Sequence, residues 1–128
     1  MTAETFISSI KTVVHDSGVR GVMERLQHPS GRRPPQRIVE LSQWFSSLPD
    51  SDRARVEQLA QLAVHSGIFG MLAVLDGVSA IESGPDKGKL ELSYRRGGEE
   101  HLLTDERQEY LHDLYQSEVY GQVFGTTA

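Results

Sequence analysis

The stretch from Ser51 to Ile81 constrains the fold of this chain more than any other. Its apolar residues recur at steps of three and four, which is the periodicity of an α-helix with one apolar face. Past Gly67 the stretch is apolar nearly all round, and a helix of that kind is expected to be buried in the middle of a domain. The pattern therefore predicts a central helix on which the other elements pack, with Leu72 and Leu75 fully buried.

Shorter helical patterns precede this stretch. A first helix is predicted to begin at Thr2 or Thr5 and to end at Gly18, with Val13 and Val14 in its apolar stripe. A second short helix follows it, and a third starts at a proline-rich boundary before the Trp44 and Phe45 pair. The segment between the second and third helices, residues 28–35, contains three prolines, a glycine and two arginines, which predicts an exposed loop.

Beyond Gly88 the apolar period changes from 3.6 residues to 2. Leu90, Leu92 and Tyr94 alternate with polar residues, which predicts a half-buried strand whose three apolar side chains face the core. Residues 96–98 then form a tight turn, and a return strand follows. An isolated two-stranded sheet is only marginally stable, so this hairpin is expected to rest on helices.

A last helix is predicted to start at Thr104 or Asp105 and to bury Tyr115. The tail from residue 119 to 128 is expected to fray unless Tyr120, Val123 and Phe124 dock. Taken together, the patterns predict a single α+β domain over residues 1–128, with four to five helices and one β-hairpin packed on the helices.

Composition narrows the possible functions. The chain has no cysteine, which excludes a disulfide framework, a cysteine nucleophile and thiolate metal sites. Its net charge is −5 and is unevenly divided: residues 1–64 carry 8 Lys+Arg and 7 Asp+Glu, a net of +1, and residues 65–128 carry 5 and 11, a net of −6. An acidic chain binds nucleic acid poorly, whereas an acidic half suits a basic protein partner.

The N-terminus carries no basic leader, and the longest apolar run is too short to span a bilayer. We therefore expect a cytoplasmic protein that neither enters a membrane nor binds nucleic acid. The arginine pair Arg32 and Arg33 lies beside prolines without interleaved aromatic residues, so it is interpreted as part of a solvated loop.

The sequence patterns of common catalytic sites are absent. There is no G-x-S-x-G, no G-x-x-x-x-G-K-[ST] and no G-x-G-x-x-G. Glu109 and His112 have the E-x-x-H spacing of di-iron bundles, but those bundles need a second such pair. The sequence therefore predicts a surface Glu–His pair, and neither a metal nor a cofactor.

Two residues of the central helix remain candidates for a functional site. Asp76 follows an apolar run, and a buried carboxylate needs hydrogen-bond donors. It is interpreted either as a residue near a helix break that bonds to the next turn, or as a functional carboxylate. His65 is expected at the boundary of the core. A small enzyme with a site around Asp76 and His65 is therefore one alternative function.

Three segments of the chain carry a resemblance to known proteins: FGMLAVLDGVSAIE at 69–82, GKLELSY at 88–94 and LHDLY at 111–115. They resemble a group of small acidic bacterial proteins of uncharacterised function, some of which serve as immunity proteins that bind and block a toxin made by the same cell. The resemblance spans roughly the C-terminal half of the chain and carries no catalytic signature. It implies non-catalytic protein binding and transfers no functional residues.

The expected function is thus that of a non-enzymatic binding domain, an immunity protein whose partner is a basic protein such as a toxin. The chain is expected to be a monomer or a homodimer, and a homodimeric adaptor that uses the Trp44 and Phe45 helix is the second alternative. The predicted partner-binding residues are the acids of the hairpin and of the last helix: Glu91, Glu99, Glu100, Asp105, Glu106, Glu109 and Asp113.

Overall fold

The computed structural model describes residues 1–126, and its first 27 residues include one long helical rod. The rod consists of three consecutive elements: α1 (Ala3–Ile10), a π-helical segment (Lys11–Asp16) and α2 (Ser17–Gln27). Thr2 caps its start as predicted, since the Thr2 hydroxyl accepts a hydrogen bond from the Thr5 N–H at 3.1 Å. The prediction that Gly18 ends the first helix is wrong. Gly18 lies instead where the rod approaches the helix that contains Val64, and a Cβ at Gly18 would lie 3.5 Å from the Val64 side chain.

The π-helical segment keeps one face of the rod turned toward the core. The buried residues of this face recur at intervals of four or eight: Ala3, Ile7, His15 and Val19. In an α-helix each step of four residues overshoots a full turn by about 40°, so such a stripe would wind around the rod. The wider turns of a π-helix absorb the extra residues. As a consequence Val13 and Val14, which the sequence places in the apolar stripe, are exposed.

Three more helices follow the rod: α3 (Gln36–Ser47), α4 (Asp50–Leu75) and α5 (Leu111–Phe124). The predicted central helix is α4, and its predicted extension to Ile81 is too long. Gly77 adopts a φ of +77°, a left-handed conformation that glycine adopts without strain. The N–H groups of Val78 and Ser79 then bond to the Ala73 carbonyl at 3.0 and 3.2 Å, which closes the helix.

The last helix, α5, starts later than predicted. Asp105 does not cap it, because its carboxylate accepts hydrogen bonds from the Arg107 N–H at 3.0 Å and the Arg107 guanidinium at 2.8 Å. These bonds form a local turn, so the chain enters the helix only at Leu111.

The end of α5 is ordered into the core, which contradicts the predicted fraying from residue 119. Val119 and Val123 are buried, and the helix continues to Phe124. Residues 127 and 128 of that prediction lie outside the described residues.

The core lies between α1, α4 and α5. It is built from seven buried apolar side chains: Ala3, Ile7, Leu72, Leu111, Tyr115, Val119 and Val123. Leu72 is buried as predicted, whereas Leu75 is only half-buried. The prediction that α4 is buried on all sides is wrong, because only Ala60, His65, Leu72 and Ala73 of its 26 residues are buried. The helix with the most buried positions is α5.

The hairpin joins α4 to α5. Strands β1 (Ser93–Arg96) and β2 (Glu99–Leu102) pair antiparallel, with Tyr94 opposite His101. The turn lies at the predicted place, and Gly97 has a φ of +62°, which favours glycine. With four helical rods and one two-stranded hairpin within residues 1–126, the predicted mostly helical α+β class is confirmed.

The base of the hairpin is its main attachment to the helices. Leu103 is buried and Leu92 is half-buried, and the Leu103 N–H donates to the Leu92 carbonyl at 2.8 Å. Tyr94 is half-buried, while Leu90 is exposed. The inward orientation predicted for Leu90 is therefore wrong, because the chain before β1 runs along the surface rather than across the core.

Candidate functional site

Asp76, at the end of α4, is bonded to the start of α5. Its Oδ1 accepts from the Leu111 N–H at 3.1 Å, and its Oδ2 accepts from the His112 N–H at 2.9 Å and from the His112 Nδ1–H at 2.6 Å. The side chain is 2% exposed. At the N-cap position of α5 stands Tyr110, whose side chain makes no cap hydrogen bond. Asp76 therefore caps α5 from a different helix, where a carboxylate also suits the positive end of the helix dipole.

His112 is buried, which corrects the predicted surface Glu–His pair. Its ring stacks on Tyr110 at a centroid distance of 5.3 Å and meets the edge of Phe69 at 5.2 Å. Its Nε2 lies 3.4 Å from the Asp113 carboxylate. Glu109 is exposed and precedes α5, so the two members of the expected pair occupy different environments.

His65 is enclosed by aromatic rings instead of lying at the boundary of the core. It stacks between Phe69 and Tyr115 at centroid distances of 5.4 and 5.5 Å, and the edge of Phe124 approaches at 5.0 Å. Within residues 1–126 its Nε2 has no hydrogen-bond partner, although the atom is buried. An unpaired buried ring nitrogen disfavours uptake of a proton.

The environment of His65 favours its neutral form. Burial lowers the pKa of His65, the neighbouring His15 lowers the pKa further, and the polar side chain of Gln116 opposes both effects without cancelling them. His65 is therefore a neutral core residue at neutral pH, held among rings of α4 and α5.

A third buried histidine, His15, connects three helices. Its Nε2 lies 2.7 Å from Gln61 Oε1 and its Nδ1 lies 2.5 Å from the Tyr115 hydroxyl. Because an amide oxygen only accepts, Nε2 donates to Gln61, which leaves Nδ1 to share a hydrogen bond with the Tyr115 hydroxyl. Burial raises the pKa of Tyr115, and the nearby Asp16 carboxylate raises it further, so the phenol remains a donor.

The polar contacts continue to the surface at Asp16. Gln122 donates to Asp16 Oδ1 at 3.0 Å and Lys11 donates to Oδ2 at 3.0 Å. Partial burial raises the pKa of Asp16, but these two hydrogen bonds outweigh that effect and keep the pKa low. Neither His15 nor Gln61 stands out in the sequence patterns. The sequence signal for His15 is its spacing: it comes eight residues after Ile7 and four before Val19, which places it on the buried face of the rod.

The candidate enzyme residues Asp76 and His65 do not form a common site. They are eleven positions apart on one helix, about 16 Å along its axis. Both Asp76 oxygens are occupied by donors of α5, and His65 is closed in by rings. A general base must lie within hydrogen-bond reach of a substrate proton, and neither side chain offers that reach here.

A cavity of about 420 Å³ lies beside the end of α4. Its walls include Leu75, Ile81, Leu90 and Tyr110, and the Lys89–Glu106 ion pair stands at its edge with 2.8 Å between Nζ and Oε1. Asp76 borders this cavity but gives its oxygens to α5. Over residues 1–126, no group of three or more histidine, aspartate or glutamate side chains is arranged to hold a metal ion.

The seven acids predicted to bind a partner lie on the hairpin, on the segments flanking it and on the first turn of α5. Six are exposed and Asp105 is half-exposed. Three of the seven are neutralised by cations of the same region: Glu100 by Arg95 at 3.4 Å, Asp105 by Arg107 at 2.8 Å, and Glu106 by Lys89 at 2.8 Å.

The remaining acids carry the negative charge of this region. Among residues 1–126, no lysine or arginine lies within ion-pair distance of four of them: Glu91, Glu99, Glu109 and Asp113. Glu99 and Asp113 approach only histidine rings, at 3.7 and 3.4 Å. We call these four residues the free acids.

An unexpected feature is the solvent side of α4, which we call the outer face of α4. All of its residues are exposed: Leu59, Leu62, Ala63, Ser66, Gly67 and Gly70. No Asp, Glu, Lys or Arg occurs between Gln58 and Leu75. Leu59 retains 63% of its accessible surface and Met71, at the edge of this face, 61%. By length and composition alone α4 is apolar enough to cross a membrane, and it packs on α2 and α5 along its other side.

Comparison with known proteins adds no assignment, since no family model, no curated protein and no solved structure matches the chain.

Proposed function

We propose that this chain is a non-catalytic protein-binding domain that acts as an immunity protein: it binds a basic partner, such as a toxin of the same bacterial cell, and blocks it. The observation that carries the proposal is the set of free acids on the hairpin and its junction with α5. Unneutralised charge on one region steers a partner of opposite charge toward that region. The binding takes place in the cytoplasm, where the partner is made.

The interior of the protein supports binding rather than catalysis. Asp76, His112, His15 and Tyr115 are all buried or nearly so and are used in hydrogen bonds between helices. Polar side chains used in this way hold α4, α5 and the first rod in a fixed arrangement. A rigid frame of this kind presents the hairpin and the start of α5 to a partner without a large rearrangement on binding.

The second candidate function, a homodimeric adaptor, is favoured by a different observation, the outer face of α4. The helix first considered for that role is less suitable, because Phe45 is buried, which leaves Trp44 and Leu41, at 49% and 42% exposure, as its large exposed apolar side chains.

The experiment that tests the immunity role uses the full chain as bait in a bacterial lysate, followed by binding kinetics with the recovered partner. The test variant carries Glu91→Lys, Glu99→Lys and Glu109→Lys, which are free acids whose replacement breaks no ion pair to lysine or arginine. The matched control carries Glu4→Lys, Glu24→Lys and Glu57→Lys, which are exposed acids of the helical part with the same change in net charge.

The expected result is an association rate that falls at least about tenfold in the test variant and loses its dependence on salt, since steering by exposed charges is screened within about 10 Å at physiological salt. The control should retain most of the parent's rate. Equal rates for the parent and the test variant would remove the acidic surface from the proposal, and a recovered partner with an acidic surface would do the same.

A further inference from the structure

We propose that two copies of this chain associate through the outer face of α4, with the two helices antiparallel and the two-fold axis close to Ser66. This interface is independent of the proposed immunity role, which depends on the acids of the hairpin and α5. The starting observation is that an uncharged, largely apolar helix face remains exposed over about three turns. Removing such a face from water by association with another apolar surface is favourable.

The order of large and small residues along this face fits a second, antiparallel copy. Leu59 and Leu62 come before Ser66, and Gly67 and Gly70 come after it. With the axis at Ser66, residues equally far before and after it face each other, so Leu62 lies against Gly70 of the second copy. A parallel pair would instead place leucine against leucine and leave a gap between glycines, which close packing disfavours.

The two glycines are not required by the fold of a single chain. A Cβ at Gly67 or at Gly70 would meet nothing within 4 Å. Glycine inside a helix is less favourable than alanine, and close contact with a second helix offsets that cost for two glycines three residues apart on one exposed face. Small residues allow two helix axes to approach to about 8 Å, the short end of the usual range.

The distribution of charge also fits a second copy. The outer face of α4 offers no counter-charge to an acidic or basic partner, and the matching surface is another uncharged one. Arg55 lies about one turn before the outer face of α4 and is exposed. In the antiparallel pair Arg55 comes to lie beside the C-terminal end of the other α4, where the helix dipole is negative.

The size of the face sets the strength of the association. From Leu59 to Gly70 it is about 17 Å long, and with a width of about 10 Å it covers on the order of 200 Å² per copy. Stable complexes bury about 800 Å² per partner. The dimer is therefore weak, with a dissociation constant of about 1 µM or weaker, and it exchanges with the monomer.

The first test is sedimentation equilibrium of the full chain over a wide range of concentration. The parent should change from the monomer mass to twice that mass as concentration rises, whereas Gly70→Leu should remain monomeric with the same circular dichroism spectrum. The matched control is Gly121→Leu: Gly121 is also an exposed helical glycine with open space around its Cβ position, but it lies on α5. It should dimerise like the parent.

The second test uses the absence of cysteine in the natural chain. Ser66→Cys should form a disulfide-linked dimer under mild oxidation at least about tenfold faster than the control Ser9→Cys, because a disulfide needs Cα atoms within about 7 Å. A mixture of Leu62→Cys and Gly70→Cys should form the mixed dimer in preference to either symmetric one.

Several outcomes would overturn the proposal. The first is a parent that is monomeric at every concentration. The second is a Gly121→Leu variant that loses dimerisation as Gly70→Leu does. Preferential self-linking of Leu62→Cys would rule out the antiparallel orientation. A monomeric parent that floats with phosphatidylcholine vesicles would assign the outer face of α4 to lipid instead.

Discussion

Asp76 and His112 are joined by two hydrogen bonds, one from the His112 N–H at 2.9 Å and one from its Nδ1–H at 2.6 Å, although the residues are 36 positions apart. This contact closes the loop that carries the hairpin and fixes the end of α4 to the start of α5. The junction between α4 and α5 therefore depends on the Asp76 carboxylate. In the sequence Asp76 is recognisable only as an acid that follows an apolar run.

Replacing Asp76 by alanine is predicted to destabilise the fold by about 3 kcal/mol. The change leaves buried donors of Leu111 and His112 without an acceptor, and each unpaired buried group costs about 1–3 kcal/mol. Urea unfolding followed by circular dichroism measures the effect. The control Asp86→Ala removes an exposed acid and should stay within about 0.5 kcal/mol of the parent. Equal midpoints for the two variants would contradict the capping role.

Stability is predicted to decrease as the pH falls through 6.5, because of His65. Its pKa in the folded protein is lower than the usual 6.5, chiefly through burial, so the unfolded chain binds the proton more readily. The loss begins near pH 6.5 and is complete once the pH is below the folded pKa. Above pH 6.5 His65 does not contribute to the pH dependence of the free energy of unfolding.

The measurement for His65 is the free energy of unfolding of the parent and of His65→Leu between pH 5 and 8. The variant should show a flatter pH profile than the parent, and His101→Leu, which removes an exposed histidine of the hairpin, should not. His15 and His112 are retained in both variants, so the comparison isolates His65. Parallel profiles for the parent and His65→Leu would disprove this prediction.

Replacing Leu72 or Leu75 by alanine is predicted to destabilise the fold by different amounts, although both leucines were expected to be fully buried. Leu72 is 4% exposed and Leu75 is half-buried. Leu72→Ala should cost about 2–5 kcal/mol, the range for a buried leucine, and Leu75→Ala should cost less. Leu59→Ala, on the outer face of α4, is the surface control, and at a protein concentration that keeps the chain monomeric it should stay within about 0.5 kcal/mol. If Leu59→Ala lowered the free energy of unfolding as much as Leu72→Ala, the outer face of α4 would not be exposed in the monomer.

Removing the hydroxyl of Tyr115 is predicted to cost about 1–2 kcal/mol. Tyr115→Phe keeps the buried ring but leaves His15 Nδ1 without its donor. Tyr120→Phe, at an exposed position of the same helix, is the control and should be neutral. Thermal or urea unfolding of the two variants compares them directly, and a neutral Tyr115→Phe would show that the His15–Tyr115 hydrogen bond does not stabilise the fold.

Local sequence was sufficient for the features that depend on neighbouring residues. Steps of three and four along the chain predicted α4, the change of period after Gly88 predicted the hairpin, and the glycine pair at 97 and 98 predicted its turn. The Thr2 cap was also predictable, since a hydroxyl three residues from a free N–H is a local arrangement. These features explain why the α+β class was correct.

The candidate site was much less predictable. The sequence singled out Asp76 and His65, and both side chains are buried. It did not show that backbone N–H groups of α5 donate to Asp76. Nor did it show that aromatic rings enclose His65. The positions of the acids near the hairpin were predictable as exposed. Which of them are neutralised by Lys89, Arg95 and Arg107 depended on the fold of the loop.

The sequence by itself determined that helices and a hairpin form and in what order, because helix and strand periods and glycine turns act between residues a few positions apart. It did not fix the ends of the first helix, of α4 or of α5. The tertiary structure decided which face of each helix is buried. His15 is buried only because α4 and α5 pack against its face of the rod. Asp76 caps α5 only because the fold brings Leu111 beside it. The apolar helix α4 keeps one exposed side because α2 and α5 cover the other. The physical reason is that burial and hydrogen-bond satisfaction belong to pairs of elements that are distant in the chain.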